Sequence, residues 1–387
     1  MARVLVGITG GIAAYKACDL IRLFVKAGHE VVPLVTPGTE RFVRAETFFA
    51  LARQSPSQDL YVHLTQADLL VVAPLTANTL AKLAHGLADN LVGEAALAHR
   101  GPVLLAPAMN PRMWASPATQ ANVEALRSRG ALLVGPDEGE TAEGEWGVGR
   151  MVEPDEILRR SRELLGESDS LAGRRVLVSA GGTREPLDAV RFLGNRSSGR
   201  MGVALAEEAR KRGASVTLLA ANLAVPPPRG IEVVETPTAA AMLEEVLARA
   251  DADLVLMAAA VADYRPAEPA GEKRPKDERA WQVTLEPTTD VLRALGEQRT
   301  NGQVLIGFAA EHGDEGLSRA REKLMQKRID LVVYNDVSRG DIGFDAGDNE
   351  VVLITATGEH RVTKAPKDRI AVTIVDTAEE LLRERAR

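Results

Sequence analysis

A chain of 387 residues with a net charge of −7 has room for two or three domains, and no basic stripe marks it for a nucleic-acid backbone. Its one cysteine, Cys18, excludes a disulfide framework within the chain and a structural zinc site. The apolar runs at 69–74 and 103–107 are strand length, too short for a bilayer, and residues 1–10 read as a strand entering a glycine turn, not a signal peptide; a cytoplasmic protein without a membrane partner is expected.

Strand signals alternate with helical periodicity along the chain, the pattern of parallel sheets with crossover helices. The predicted fold class is therefore α/β, as two Rossmann-like domains with mainly parallel sheets and helices on both faces. In the first half strands are expected at 3–8, 30–35, 69–73, 103–106 and 132–135. Helices are expected at 13–27 and 78–99, the second with Leu80, Leu83, Leu87 and Leu91 on one face. The glycine- and glutamate-rich segment 137–150 has no core pattern and reads as a mobile flap. A polar run separates the halves: 1–165 as one domain, 166–171 as linker and 172–387 as the second. There, strands are expected at 175–179, 215–220, 254–258, 304–308 and 331–334, with 351–355 and 370–375 as an antiparallel extension. Segments 226–228 and 265–280 read as loops.

Chemistry concentrates where strands end. Gly7-Ile-Thr-Gly-Gly-Ile-Ala-Ala14 follows the first strand, and such a turn serves either close helix–sheet packing or a phosphate. The next strand ends at Val35-Thr36-Pro37 without the carboxylate that holds a ribose in NAD sites; Thr36 suits a mononucleotide phosphate or hydroxyl instead. The third and fourth strands end in Ala73-Pro-Leu-Thr-Ala-Asn-Thr79 and Pro107-Ala-Met-Asn-Pro-Arg-Met-Trp114, where open α/β sheets bind ligands. At Val176 the strand–glycine–helix pattern restarts, with a loop carrying Thr183, Arg184, Arg191, Asn195, Arg196, Ser197 and Ser198. That loop offers donors to an anion at a helix N-terminus. Two active sites in one chain are expected.

Taken together, the motifs at 74–79 and 107–114 resemble those of the flavin-containing cysteine decarboxylases, which oxidise a substrate thiol with FMN so that carbon dioxide leaves from a thioaldehyde. Nearly the whole chain resembles the bacterial bifunctional coenzyme A biosynthesis family, which couples that decarboxylase to phosphopantothenate–cysteine ligase. The resemblance implies FMN held by Gly10, Gly11, Ile12, Ala13, Thr36, Pro74, Thr76, Ala77, Asn78, Thr79, Ala108 and Met109, with Asn110 orienting the substrate carboxylate. It implies a catalytic histidine ahead of the Ala67-Asp-Leu69 strand; the nearest is His63, three residues closer than the family pattern, where an ungapped alignment puts Leu60. The family's flap reads Ala-Cys-Gly, its cysteine acting as proton donor. This chain reads Ala142-Glu-Gly-Glu-Trp-Gly-Val-Gly-Arg-Met151, with Glu143 in the cysteine's place. A glutamate donates a proton if burial raises its pKa. The altered flap also leaves open a ligase whose flavin domain assembles subunits or senses redox state.

In the second half Ser179-Ala-Gly-Gly-Thr-Arg-Glu-Pro-Leu-Asp188, Asn195-Arg-Ser-Ser-Gly-Arg-Met-Gly202, Ala258-Ala-Ala-Val-Ala-Asp-Tyr264, Gly307-Phe-Ala-Ala-Glu311 and Asn335-Asp-Val-Ser338 follow the ligase's order. The family activates the carboxylate as an acyl-cytidylate from CTP, which cysteine's amine then attacks; the transition state gathers charge on phosphorus oxygens and needs cations around it. By resemblance Lys323 and Lys327, on one helical face, meet CTP. Lys273, in Lys273-Arg-Pro-Lys276, stabilises transition-state charge. Asp263 with Ala259, Ala260 and Val261 reads cytosine or ribose; Thr289, Asp290, Val291 and Leu292 form the triphosphate segment, and Phe308 stacks on the nucleotide. Arg191 and Asn195 grip phosphopantothenate and the activated carbonyl. Magnesium is expected with CTP, although no ligand cluster is legible, and the family implies trimeric flavin domains and dimeric ligase domains.

Overall fold

The computed structural model describes residues 2–55, 66–142, 144–276, 280–311, 314–336 and 348–385. The chain divides into two compact units, Met1–Glu167 and Ser168–Arg387.

In the first unit, strands β1 (Arg3–Ile8), β2 (Glu30–Val35), β3 (Leu69–Leu75), β4 (Val103–Pro107) and β5 (Leu132–Leu133) form a sheet in the order β2-β1-β3-β4-β5. Every pairing in it is parallel. Successive side chains face opposite ways along a strand, so strands covered on both faces must be apolar throughout. Thus Val4, Val6 and Ile8 pack with helices Ala14–Lys26 and Pro154–Leu164, while Leu5, Leu70 and Val72 pack with Ala77–Ala84, Leu91–Ala98 and Pro117–Ser128. The 2-1-3-4-5 order places a topological switch between β1 and β3, where doubly wound folds bind ligands.

Two expectations for this unit need correction. The helix expected over 78–99 is two helices, because Gly86 turns left-handed (φ +69) and Asn90 Oδ1 then accepts the N–H groups of Val92 and Gly93. Leu87, assigned to the core stripe, is exposed. The segment read as a flap without regular structure forms an antiparallel hairpin, β6 (Asp137–Glu140) with β7 (Trp146–Arg150).

The second unit has the sheet order β12-β11-β8-β13-β16-β17-β18-β19, built from β8 (Arg175–Gly181), β11 (Ser215–Ala221), β12 (Glu232–Glu235), β13 (Leu254–Met257), β16 (Val304–Glu311), β17 (Leu331–Asp336), β18 (Asp348–Ile354) and β19 (Glu359–Pro366). The first six pair in parallel, and β18 and β19 join through antiparallel pairings. Short ribbons β9 (Arg184–Pro186) with β10 (Phe192–Gly194), and β14 (Tyr264–Pro266) with β15 (Leu285–Pro287), stand beside its strand ends. The switch point here lies between β8 and β13.

Residues 370–375, expected as a strand, lie in helix Lys367–Arg385. Their β-branched run is strand-like, but burial of Ile370, Ala371, Ile374, Val375, Ala378 and Leu382 follows the helical period and packs that face against the sheet. The expected strand at 351–355 is present as β18, antiparallel to β17, and β19 takes the place given to 370–375. Strand β14 runs two residues into the expected loop at 265–280, and β12 carries no long alternating signal. Leu171, assigned to the linker, is buried in the core of the second unit. Among the described residues no helix is long and apolar enough to cross a membrane.

Candidate active sites

In the first unit the residues chosen from the glycine turn, Thr36, the 76–79 turn, Ala108, Met109 and Asn110 line one cleft of about 1010 Å³ at the switch point. The two loops that make its floor touch: a Cβ on Gly10 would lie 2.6 Å from the carbonyl carbon of Gly38. Only glycine permits that approach, which leaves backbone rather than side chain at the cleft wall. Thr9, fully buried and not selected from the sequence, ties the walls together. Its Oγ1 donates to the Pro74 carbonyl (2.7 Å) and accepts the Thr76 N–H (3.0 Å). Pro74 itself is buried in β3 and is not part of the cleft lining; it contributes only this carbonyl. Thr36 Oγ1 lies 3.1 Å from Thr39 Oγ1, and both hydroxyls reach the Ile8 carbonyl. Lys16 also lines the cleft and is buried, with its ammonium 2.8 Å from Glu153 Oε1. The Lys16 hydrogen bond holds the Glu153 carboxyl below the usual carboxylate range.

The hairpin closes over the far side. Met109 N–H donates to the Gly149 carbonyl (2.9 Å), and a Cβ on Gly149 would stand 2.3 Å from the Met109 carbonyl oxygen. Asn110 caps helix Pro111–Ala115, accepting the Arg112 N–H on Oδ1 (2.9 Å) while Nδ2 donates to Glu145 Oε2 (2.7 Å). Arg112 meets the other oxygen of Glu145 at 3.2 Å. Glu145 escaped the sequence reading, which looked only at Glu143. His63, Leu60 and Glu143 lie outside the described residues.

In the second unit the expected residues fall into three groups. At the switch point Gly182 pairs with Ala260, Ala259 N–H donates to Ser179 Oγ (3.1 Å), Ala262 N–H to Thr183 Oγ1 (2.9 Å), and Asn195 Nδ2 to the Val261 carbonyl (3.0 Å). Asp263 and Thr289 are exposed beside this edge.

The second group joins Arg191 to the loop of Lys273. Asp188 accepts the N–H groups of Val190 (2.8 Å), Arg191 (2.7 Å) and Arg274 (3.3 Å), and these donors, Val190 first, hold its carboxyl below the usual range. Arg191 donates to the Arg274 carbonyl (2.7 Å), and both guanidinium groups lie 5.1 Å from the Trp281 ring centre. Lys273 is exposed on that loop.

In the third group Lys327 pairs with Asp290 (2.9 Å) and Lys323 with Glu311 (3.0 Å). Burial pushes both carboxyls up, but the lysines, with the Arg293 N–H at Asp290 and Arg319 at Glu311, win and leave them below their ordinary values. Asp290 caps helix Val291–Glu297; Val291 and Leu292 turn their side chains into the core, so any ligand contact there is through backbone. Phe308 lines a small cavity of about 70 Å³ with the N-terminal turn of helix Arg200–Lys211 and Asn335, whose Oδ1 is buried without a partner among the described residues. An orphaned buried acceptor is rare and costs about 1–3 kcal/mol, so it marks a place for a donor. Among the described residues no group of three His, Cys, Asp or Glu side chains is placed to hold a metal ion.

The fold and its two strand-end sites define a two-unit α/β enzyme with a small-molecule site at the switch point of each sheet. A family profile described as "Flavoprotein" matches residues 1–166, and one described as "DNA/pantothenate metabolism flavoprotein C-terminal domain" matches 171–382. The coenzyme A biosynthesis bifunctional protein CoaBC of Mycobacterium tuberculosis is 43% identical over 97% of this chain and 95% of its own length; that of Bacillus subtilis is 40% identical over 92% and 91%. A crystal structure of the C-terminal domain of such a protein is 36% identical, covering 56% of this chain and 100% of its own, with a TM-score of 0.48. The chain belongs to this family of bifunctional coenzyme A biosynthesis enzymes, with a flavoprotein decarboxylase unit and a ligase unit.

Proposed function

We propose that the second unit joins 4'-phosphopantothenate to cysteine through an acyl-cytidylate made from CTP, with Mg²⁺ accompanying the CTP phosphates. The first unit, loaded with FMN, then converts phosphopantothenoylcysteine to 4'-phosphopantetheine. Both reactions belong to the cytoplasm, with the flavin units as trimers and the ligase units as dimers.

The observation that carries the flavin reading is the cleft at the β1–β3 switch: Gly10 packs on Gly38 so that backbone lines the wall, and Thr9 fixes the turn at 76–79 opposite. These residues fit a mononucleotide phosphate and a planar ring between loops. Bound FMN supplies the two-electron chemistry at the thiol-bearing carbon of the substrate. The chain's own residues bind and orient: Gly10, Gly11, Ile12, Ala13 and Thr36 with the 76–79 turn hold the cofactor, and Asn110, its amide oxygen engaged by its cap, presents Nδ2 to the substrate carboxylate. His63 and Glu143 are the acid–base candidates of this half.

In the ligase unit Arg191 and Asn195 take phosphopantothenate, while Lys323 and Lys327 turn from Glu311 and Asp290 toward the CTP phosphates. Lys273 stabilises the negative charge gathering on phosphorus. The Asn335 acceptor beside Phe308 supports a donor group of the nucleotide reaching that point, the small cavity there being too narrow for the whole nucleotide. The test is paired. Purified protein should release pyrophosphate from CTP only when phosphopantothenate and cysteine are both present. With phosphopantothenoylcysteine it should yield phosphopantetheine, detected by mass spectrometry. An enethiol product, or none, removes the decarboxylase and leaves a ligase with a flavin domain of another use.

A further inference from the structure

Asn110 and Arg112 form a pair of donors that is already engaged. The cap bond from the Arg112 N–H to Asn110 Oδ1 (2.9 Å) fixes the amide so that its Nδ2 points away from helix Pro111–Ala115. Across from it, Glu145 sets Oε2 on Asn110 Nδ2 (2.7 Å) and Oε1 on Arg112 Nη2 (3.2 Å). One carboxylate thus spans two donors, the geometry by which amide and guanidinium groups recognise a carboxylate.

The Glu145 end of the contact is held in place, while the Arg112 side chain reaches it from the surface. Thr141 holds the Glu145 carbonyl through both its N–H (2.9 Å) and Oγ1 (3.1 Å), which fixes the hairpin end. Strand β7 is keyed to the Asn110 loop by the Gly149 carbonyl on Met109 N–H. Gly147, where a Cβ would stand 2.9 Å from Pro111 Cβ, lets the strand lie flat on that loop. Register and glycines together bring Glu145 to the donors.

We infer that Asn110 Nδ2 and Arg112 together form the substrate-carboxylate subsite, and that Glu145 occupies it as an internal stand-in until substrate displaces it. This rests on the reading of Asn110 as the group that meets the substrate carboxylate. The consequence is a ligand exchange. An incoming carboxylate must push Glu145 off both donors; the product has no carboxylate, so Glu145 keeps or regains them. The hairpin therefore opposes binding of the substrate and not of the product. Arg112 is a binding residue and Glu145 a positioning residue; neither transfers a proton here.

The test uses the FMN-loaded full-length protein and two ligands that do not turn over. One is the serine analogue of the substrate, with hydroxyl for thiol and the carboxylate kept; the other is the same molecule without the carboxylate. Calorimetry gives both dissociation constants. Glu145→Gln, which keeps shape and loses charge, should tighten the carboxylate ligand about 2–5-fold, the range of an exposed ion pair, and leave the other unchanged. Arg112→Gln should weaken the carboxylate ligand about 5-fold and again spare the other. A Glu145→Gln protein that binds the carboxylate ligand no better, or shifts both ligands alike, overturns the inference while leaving the decarboxylase reading intact. Failure of the unaltered protein to bind either ligand removes that reading, and the inference with it.

Discussion

Thr9 offers the sharpest check on how the flavin cleft is held. Replacing it by valine keeps the shape and deletes one hydroxyl. The Pro74 carbonyl and the Thr76 N–H, bonded to it at 2.7 and 3.0 Å, then lose their partner in a site where Thr9 is fully buried. Each stranded group costs about 1–3 kcal/mol, and since Thr76 is only part-buried we expect a loss of about 2–4 kcal/mol. With a urea dependence of about 2 kcal/mol/M for a unit of this size, the midpoint of its unfolding falls by about 1–2 M. Roughly half of that loss should appear as disorder of the 76–79 turn in the folded protein, weakening FMN about 5- to 30-fold in a fluorescence titration. Thr9→Ser, which keeps the hydroxyl, should stay within about 1 kcal/mol of the original. A Thr9→Val protein with the original urea midpoint and FMN affinity would refute the reasoning.

Three further outcomes are expected. Gly149→Ala puts a methyl 2.3 Å from the Met109 carbonyl oxygen, so the hairpin must shift; phosphopantetheine formation should fall on the order of 10-fold while the protein stays yellow. Lys273→Ala, an exposed change, should lower CTP-dependent pyrophosphate release on the order of 100-fold with no change in melting temperature; full activity would remove the role given to Lys273. For Asp290 and Glu311 the folded carboxyls sit below their ordinary values, so their pairs with Lys327 and Lys323 stabilise the unit above about pH 4. That contribution disappears as pH falls through the lower folded values. Lys327→Met should therefore lower the urea midpoint at pH 7, and its gap to the original protein should close as acid protonates Asp290; a gap that stays constant as the pH falls below about 4 contradicts the assignment.

Most of the parallel strands were legible because they are short apolar runs, several ending in glycine, proline or asparagine, and those ends are also where the expected site residues lie; β12, a four-residue edge strand with a glutamate at each end, was not. What escaped was local competition. Gly86 and Asn90 split a continuous leucine stripe, since a left-handed turn and a cap override periodicity. The run Ile370–Val375 has strand composition, and only the burial of Ala378 and Leu382 beyond it reveals the helical period. Thr9, Asp188 and Glu145 escaped for another reason: each works through partners 35 to 86 residues away, at Asn110, Pro74 and Arg274, and spacing along a chain carries no trace of such bonds. Trp281, flanked by two arginines from different segments, is the same case.

Asp188 carries a consequence that reaches past its own turn. One carboxylate closes on the adjacent amides at 190 and 191 and on that at 274, in a loop more than eighty residues away. Their protons should exchange with solvent as a single group, released together when that side chain lets go, so that the Arg191 turn and the lysine loop open in one event. A protease or a deuterium label would then find one hinge where the sequence shows two loops.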